Sequence, residues 1–292
     1  MPDTPREFTL RPEHFGLPSL SDLRRYRVWD AYLYPSTVDR DGTQLVKTIE
    51  QTLPTLDKGA IERFCLFLHV GLGTADPVTE ARLVAHPEDI TQPLKRWPDR
   101  ALGLIQLNAG EVDRSLEAVD RWIANGPMVG VYLPDGGRIS VPCNHPNYDP
   151  LVERVAGLGG LIMQHTWWET GSKRSAGSST PQDLAELAAR FPKVNFVCAH
   201  AGGEWEKGIR AVAKHPNILV ETSGFDPTAG FIEMAVGELG AERIVFGSHL
   251  PSRSLGTEYG KIFGADIDES QRRLILGDNL RRLLNPILSR KG

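Results

Sequence analysis

Three histidines in this 292-residue chain stand where an imidazole does chemistry rather than surface solvation. His165 closes the apolar run "GLIMQHTWW", His200 sits in "VNFVCAHAGG" and His249 in "IVFGSHLP". An imidazole at the polar end of an apolar strand can take up a proton near neutral pH or bind a metal through a neutral ring nitrogen. Facing them is "VWDAYLYP", in which Asp30, Tyr32 and Tyr34 recur at every second residue and so point the same way from a strand. Arg253, just after the last histidine, is a candidate partner for a substrate carboxylate, since its planar fork matches that geometry. Trp167, beside His165, is a candidate pocket wall, and Asp30 is counted with it and Arg253 as substrate-binding. Five histidines remain of eight. His69 reads as a core or pocket residue, while His14, His86, His145 and His215 fall in loops or helix ends and read as solvated.

Positioning such groups requires a scaffold, and the chain is patterned for one. Apolar runs rich in β-branched and aromatic residues recur at 28–34, 61–71, 101–108, 129–134, 160–168, 194–203, 217–224 and 244–251. Their near-continuous apolarity suits parallel strands buried on both faces. Helical patterns lie between them. "SSTPQDLAELAARFP" offers Thr180 as N-cap, Pro181 at the first helical position and Asp183 in the first turn. "GEVDRSLEAVDRWIANG" has helical spacing and a glycine stop at Gly126, and "DESQRRLILGDNLRRLL" supplies a last amphipathic helix. Eight strands alternating with helices predict an α/β fold of the (β/α)8 TIM-barrel type. A doubly wound open sheet is disfavoured, because no glycine-rich phosphate loop follows the first strand. The expected organisation is an N-terminal extension over 1–27, packed on or near the barrel, and one barrel domain over 28–292.

In such a barrel, polar residues at the C-terminal strand ends tend to be chemical. Besides the histidines, Asn108, Glu221 and Thr222 occupy such ends. The Ser/Gly-rich "GSKRSAGSSTP" at 171–181 reads as a flexible loop over the same mouth, or as a plain surface loop.

Composition narrows the setting. A net charge of -4 with no block of like charge argues against a nucleic-acid or membrane partner. No run of about 18 apolar residues and no signal peptide is seen, so a soluble cytoplasmic protein acting on a small molecule is expected. Cys65, Cys143 and Cys198 are too few and scattered for a disulfide framework or a cysteine zinc site, and Cys65 and Cys198 read as buried thiols. Barrels of this kind often dimerise, and a homo-oligomer is left open.

From Val28 to Leu284 the chain resembles the amidohydrolase superfamily, in its amidohydrolase-related (amidohydrolase 2) branch. The carriers are Asp30, "QH" at His165, "VCAHAGG" at His200, "GSHLP" at His249 and "ILGDNLRRLL"; "TPQDLAELAARFPKVNFVCAHAGG" is the most telling segment. The resemblance implies hydrolase, lactonase or non-oxidative decarboxylase chemistry on small carboxylated or aromatic compounds. It also implies a metal held by two first-strand histidines, a strand-five histidine and a strand-eight aspartate. Here His165 matches the strand-five ligand and His200 the strand-six histidine, but Tyr32 and Tyr34 replace both first-strand ligands and His249 the aspartate. Tyr132 stands near the place of a bridging lysine, which removes a two-metal site. A phenol with a pKa near 10 is a poor zinc ligand at neutral pH.

Three readings therefore stand. In the first, His165, His200 and His249 hold one divalent ion, zinc or manganese, whose bound water attacks an ester, lactone or amide. In the second, no metal is needed: His249 is the base for water, while His200 and Tyr32 or Tyr34 hydrogen-bond the developing oxyanion, in a lactonase or a decarboxylase-like enzyme. In the third, the protein is a catalytically lapsed small-molecule binder.

Overall fold

The computed structural model describes residues 18–35, 43–67, 87–133, 141–168, 177–224 and 228–292. Eight parallel strands follow one another in a single sheet in chain order: β1 (Val28–Leu33), β2 (Ile61–Leu66), β3 (Ala101–Gln106), β4 (Gly130–Leu133), β5 (Leu161–Trp167), β6 (Phe196–Gly202), β7 (Ile218–Glu221) and β8 (Ile244–Val245). Helices alternate with them, and the fold is the TIM barrel that the strand count predicts. Every residue of β1 and of β6 is buried, which explains why these strands read as unbroken apolar runs rather than alternating ones.

The expected helix ends form as the residue types dictate. At helix Pro181–Arg190, Thr180 and Asp183 make a reciprocal capping box, and Pro181 occupies the first turn. Asp268 and Gln271 do the same at the start of the last helical stretch. Buried polar side chains tie loops to the barrel. Asn217 Nδ2 donates to the carbonyls of Ala188, Phe191 and Val194, and the Arg243 guanidinium donates to those of Val212, Ala213, His215 and Ile218. Each gathers several carbonyls at helix and loop ends onto one buried donor group. Behind β7, Lys261 Nζ donates to Glu258 Oε2 at 2.7 Å and to Thr222 O at 3.1 Å, both side chains being buried.

The strand ends differ most from expectation at β2, β7 and β8. β2 ends at Leu66, and residues 68–71 of its run, His69 included, lie outside the described residues. β7 is four residues long and β8 two, rather than eight each. After Val245 the chain leaves strand geometry, and His249 takes a left-handed φ of 50°. The barrel seam is closed there by single bonds instead: Ala31 N–H to Phe246 O, His249 N–H to Tyr32 O and Tyr34 N–H to Leu250 O, each 2.8 Å.

The loop over 171–181 is also corrected in part. Ser178, Ser179 and Thr180 are buried, Ser179 Oγ accepts from Cys143 N–H, and Ser179 O accepts from Trp167 N–H. This half is a fixed strut beside β5, while 171–176 lie outside the described residues. Of the lead-in, residues 1–17 are likewise outside. Leu23 and Tyr26 are buried in the core, and Tyr26 Oη donates to Glu269 Oε2. All three cysteines are buried and free, and burial pushes the Cys65 and Cys198 thiols up, Cys198 to about 12. Among the described residues no helix is long and apolar enough to cross a membrane.

Candidate active site

The C-terminal ends of β1, β5 and β6, with the segment after β8, bring the expected rings into one cluster. His200 lies at its centre, with ring centroids 4.9 Å from His165, 5.3 Å from His249 and 4.6 Å from Tyr32. Tyr32 stacks on His249 at 5.1 Å, and Tyr34 lies 5.0 Å from His249 on the rim. Trp167 is 6.5 Å from His165 and 6.1 Å from His200. His165, Tyr34, Trp167 and His249 are half-buried, so the cluster has an accessible side.

Proton positions follow from the partners. His200 Nδ1 lies 2.8 Å from Ser223 O, and a carbonyl only accepts, so Nδ1 carries the hydrogen. Ser252 Oγ lies 2.6 Å from His249 Nδ1 and 2.9 Å from His249 O, so when its one hydrogen goes to the carbonyl it accepts from a protonated Nδ1. On both rings Nδ1 is engaged by a neighbour, and Nε2 is the edge left for other work. Burial, and then the neighbouring His200, pull the His249 imidazole down to about 3, so it is unprotonated at neutral pH.

Both histidines also sit in strained backbone: φ is 63° at His200 and 50° at His249, the left-handed region that side-chain-bearing residues rarely enter. Such conformations cost roughly 1–3 kcal/mol and collect where geometry serves a site.

Tyr32 is almost fully buried. Its Oη lies 3.1 Å from Tyr132 Oη, and Phe67 stacks on the Tyr132 ring at 4.0 Å. Burial, reinforced by Tyr132, drives the Tyr32 phenol well above its ordinary range, leaving it a neutral O–H.

Asp30, expected among the substrate-binding residues, is turned inward and fully buried. It accepts from Tyr32 N–H at 2.9 Å and from Ser248 N–H and Oγ–H at 2.8 and 2.5 Å. Burial pushes its carboxyl up to about 6 against those bonds. Its work is to join β1 to the segment after β8. Arg253 is half-buried, donates to Gly224 O at 3.0 Å, and lines a cavity of about 410 Å³ with Thr48, Gln51, Leu250 and Pro251. Asn108 is turned into its own loop, where its Oδ1 accepts from Gly110 N–H.

The residue that the sequence flagged only as a strand end is Glu221. It is fully buried and accepts from His200 N–H at 3.1 Å and Ser223 N–H at 2.7 Å, and one oxygen lies 3.3 Å from His200 Nδ1. Burial works to raise its carboxyl, yet the His200 and Ser223 contacts outweigh it and hold the group below the usual carboxylate range.

The donor set does not fit a resident divalent ion. Both first-strand positions are phenols, and the Tyr32 hydroxyl is neutral and bonded to Tyr132. The two carboxylates nearby, Asp30 and Glu221, are committed to backbone N–H groups and buried hydroxyls. Among the described residues, no three His, Cys, Asp or Glu side chains are placed to hold a metal. The expected metal set of His165, His200 and His249 therefore rests on the sequence alone.

A barrel with imidazoles and phenols gathered at its C-terminal mouth defines a small-molecule site of the TIM-barrel enzyme type. The amidohydrolase family model matches residues 48–285, most of the chain, and this protein belongs to that family. Among solved structures, 2,6-dihydroxybenzoate decarboxylase from Rhizobium superposes with a TM-score of 0.65 at 19% identity, over 88% of this chain and 98% of that one. A dihydroxybenzoic acid decarboxylase from Polaromonas sp. JS666, with bound manganese and the inhibitor 2-nitroresorcinol, gives 0.69 at 16% identity over 88% and 96%. At these identities the likeness establishes the fold. An uncharacterized protein of Sinorhizobium fredii, y4mH, is 25% identical over 146 residues, which span 38% of this chain and 49% of its own length. The chain thus matches about half the length of that curated relative.

Proposed function

We propose that this protein is a small-molecule hydrolase that opens an ester or lactone of an oxygenated, carboxylated compound without a resident metal. The observation that carries the reading is the proton arrangement at His249. Its Nδ1 lies 2.6 Å from Ser252 Oγ, so Nε2 is the edge left to take a proton from water; burial keeps the ring neutral but also makes it a weak base, so the transfer depends on the contacts that answer the developing charge. Water deprotonated there attacks the carbonyl carbon, and negative charge develops on the carbonyl oxygen; its collapse breaks the acyl C–O bond, and the proton held at His249 Nε2 passes to the leaving oxygen. Tyr32 answers that charge: its hydroxyl lies 3.1 Å from that of Tyr132, and when Tyr132 is the donor in this contact the Tyr32 proton is available to the substrate. His200, edge-on to Tyr32 with ring centroids 4.6 Å apart, is the second group held against that charge. Arg253 pairs with the substrate carboxylate, and Trp167 and Tyr34 wall the ring. His165 lines the other flank of His200.

The likeness to dihydroxybenzoate decarboxylases supports decarboxylation as a second reading, in which a carboxylated ring is protonated and loses carbon dioxide. The experiment runs chelator-dialysed protein on 4-nitrophenyl acetate, dihydrocoumarin and 2,6-dihydroxybenzoate, with His249→Ala beside the parent. Turnover of the ester or lactone, lost in the variant, is the expected result. Carbon dioxide release from the benzoate alone moves the assignment to the second reading. Activity that returns only with added manganese or zinc overturns the metal-free assignment. No turnover in any arm leaves a binder.

A further inference from the structure

The buried Glu221 carboxylate takes no part in the chemistry above, yet it touches His200 from two directions. Its oxygens accept the backbone N–H of His200, where φ is 63°, and the backbone N–H of Ser223. Ser223 in turn offers the carbonyl that receives the His200 Nδ1 proton, and a Glu221 oxygen lies 3.3 Å from that same nitrogen. One carboxylate therefore holds both the backbone that carries the imidazole and the backbone group that reads its proton.

Room for this pair is made by two glycines. A Cβ at Gly247 would overlap Glu221 Oε1, and one at Gly224, where φ is 96°, would overlap His200 Nδ1. Strained backbone, two cleared positions and a fully buried charge converge on a single ring orientation. A buried carboxylate is costly unless every oxygen is answered, and here the answers all come from the His200–Ser223 frame.

We infer that Glu221 is the positioning residue for His200: through the His200 and Ser223 N–H groups it fixes the ring with its proton at Nδ1, so that Nε2 is the edge turned to the cluster. This rests on the hydrolase reading for its kinetic consequence but not for its structural content. Glu221→Gln keeps the shape and one acceptor but sets an amide NH2 against a backbone N–H, so the frame loosens. A ring no longer held by this frame turns its Nε2 edge off line for part of the time, and misplacement by about 1 Å costs roughly 100-fold in rate.

Two measurements test it. Long-range proton–nitrogen NMR on uniformly labelled protein, with His200→Asn used to assign the ring, reads the tautomer without any substrate. A protonated Nδ1 is expected in the parent and a mixture in Glu221→Gln. A lone-pair Nδ1 in the parent, or an unchanged ring in the variant, overturns the assignment. Steady-state kinetics on dihydrocoumarin are expected to show kcat down about 100-fold with KM within about threefold, and Glu221→Asp, which keeps the charge, in between. Where Glu221→Gln does not fold, the parent tautomer and Glu221→Asp decide. If the probe is not turned over at all, the hydrolase reading fails while the ring measurement still judges Glu221.

Discussion

His249 lies stacked on Tyr32, with ring centroids 5.1 Å apart and 27° between planes, and its backbone N–H donates to Tyr32 O at 2.8 Å. An imidazole and a phenol are thus locked face to face by the backbone that carries them. Tyr32→Phe keeps the stack and removes only the hydroxyl. The expected outcome is a kcat loss of about 10–100-fold, in the range of a lost oxyanion donor or less. Stability is expected to change by about 1 kcal/mol, the net worth of one hydrogen bond. Kinetics and a urea titration on the same preparation check both.

Removing metal is expected to change nothing. Dialysis against a chelator leaves ester or lactone turnover within about twofold if water is activated by the ring, since no lost ion has to be replaced. Elemental analysis before and after dialysis, beside the rates, is the check.

Asp30 is expected to matter for stability first. Asp30→Ala leaves Ser248 N–H, Tyr32 N–H and Ser248 Oγ–H without their buried acceptor. At about 1–3 kcal/mol for each stranded group, partly relieved by relaxation, a loss of about 3 kcal/mol is expected from a urea midpoint.

The Glu258–Lys261 pair behaves in the same way. Both side chains are about 1% exposed, and burial pushes the Glu258 carboxyl up to about 7 against the pull of Lys261. Lys261→Met leaves that carboxyl unpaired and is expected to cost about 3–5 kcal/mol. The double variant with Glu258→Leu is expected to recover most of it, and a double-mutant cycle at pH 7 reads the difference.

Acid stability divides by sign. Asp30 is raised to about 6 and Glu258 to about 7, so in moderate acid the native state holds protons that the unfolded chain has released. Their contribution is full below pH ~4 and is lost as pH rises toward 6 and 7. His249 works in the opposite sense. Its native value of about 3 lies below the ordinary ~6.5, so it penalises the fold as pH falls from about 6.5 toward 3. The stability difference between His249→Ala and the parent is therefore expected to shift in favour of the variant on going from pH 6.5 to 4.5. Urea midpoints at the two pH values test the sign.

The barrel was legible because parallel strands must be apolar on both faces. β1, β5 and β6 announce themselves in this way, and Thr180, Pro181 and Asp183 announce their helix by capping chemistry. The three histidines were legible as polar interruptions of such runs, and the structure gathers them with Tyr32 and Tyr34. Less legible was what each side chain faces. Asp30 and Tyr32 share a strand and a parity, yet one binds Ser248 and the other Tyr132, because the partner 218 residues away decides. Glu221 read as one strand-end acid among several polar residues. Its pairing with His200 depends on a left-handed backbone that no local pattern encodes, and the glycines at 224 and 247 were the only trace of it. The buried half of the serine-rich loop was masked by its composition, because Ser178 and Ser179 look like surface residues until Cys143 and Trp167 are set against them.

The two-residue β8 has a consequence for how this site could change over time. A residue within a full ladder is tied to its neighbours by strict alternation, and swapping its role disturbs every side chain in register. Residue 249 has no such obligation: its direction is set by one left-handed turn and a few single bonds to β1. The seam is thus a joint at which one side chain at the barrel mouth can be exchanged for another while the seven strand pairings of the sheet stay untouched.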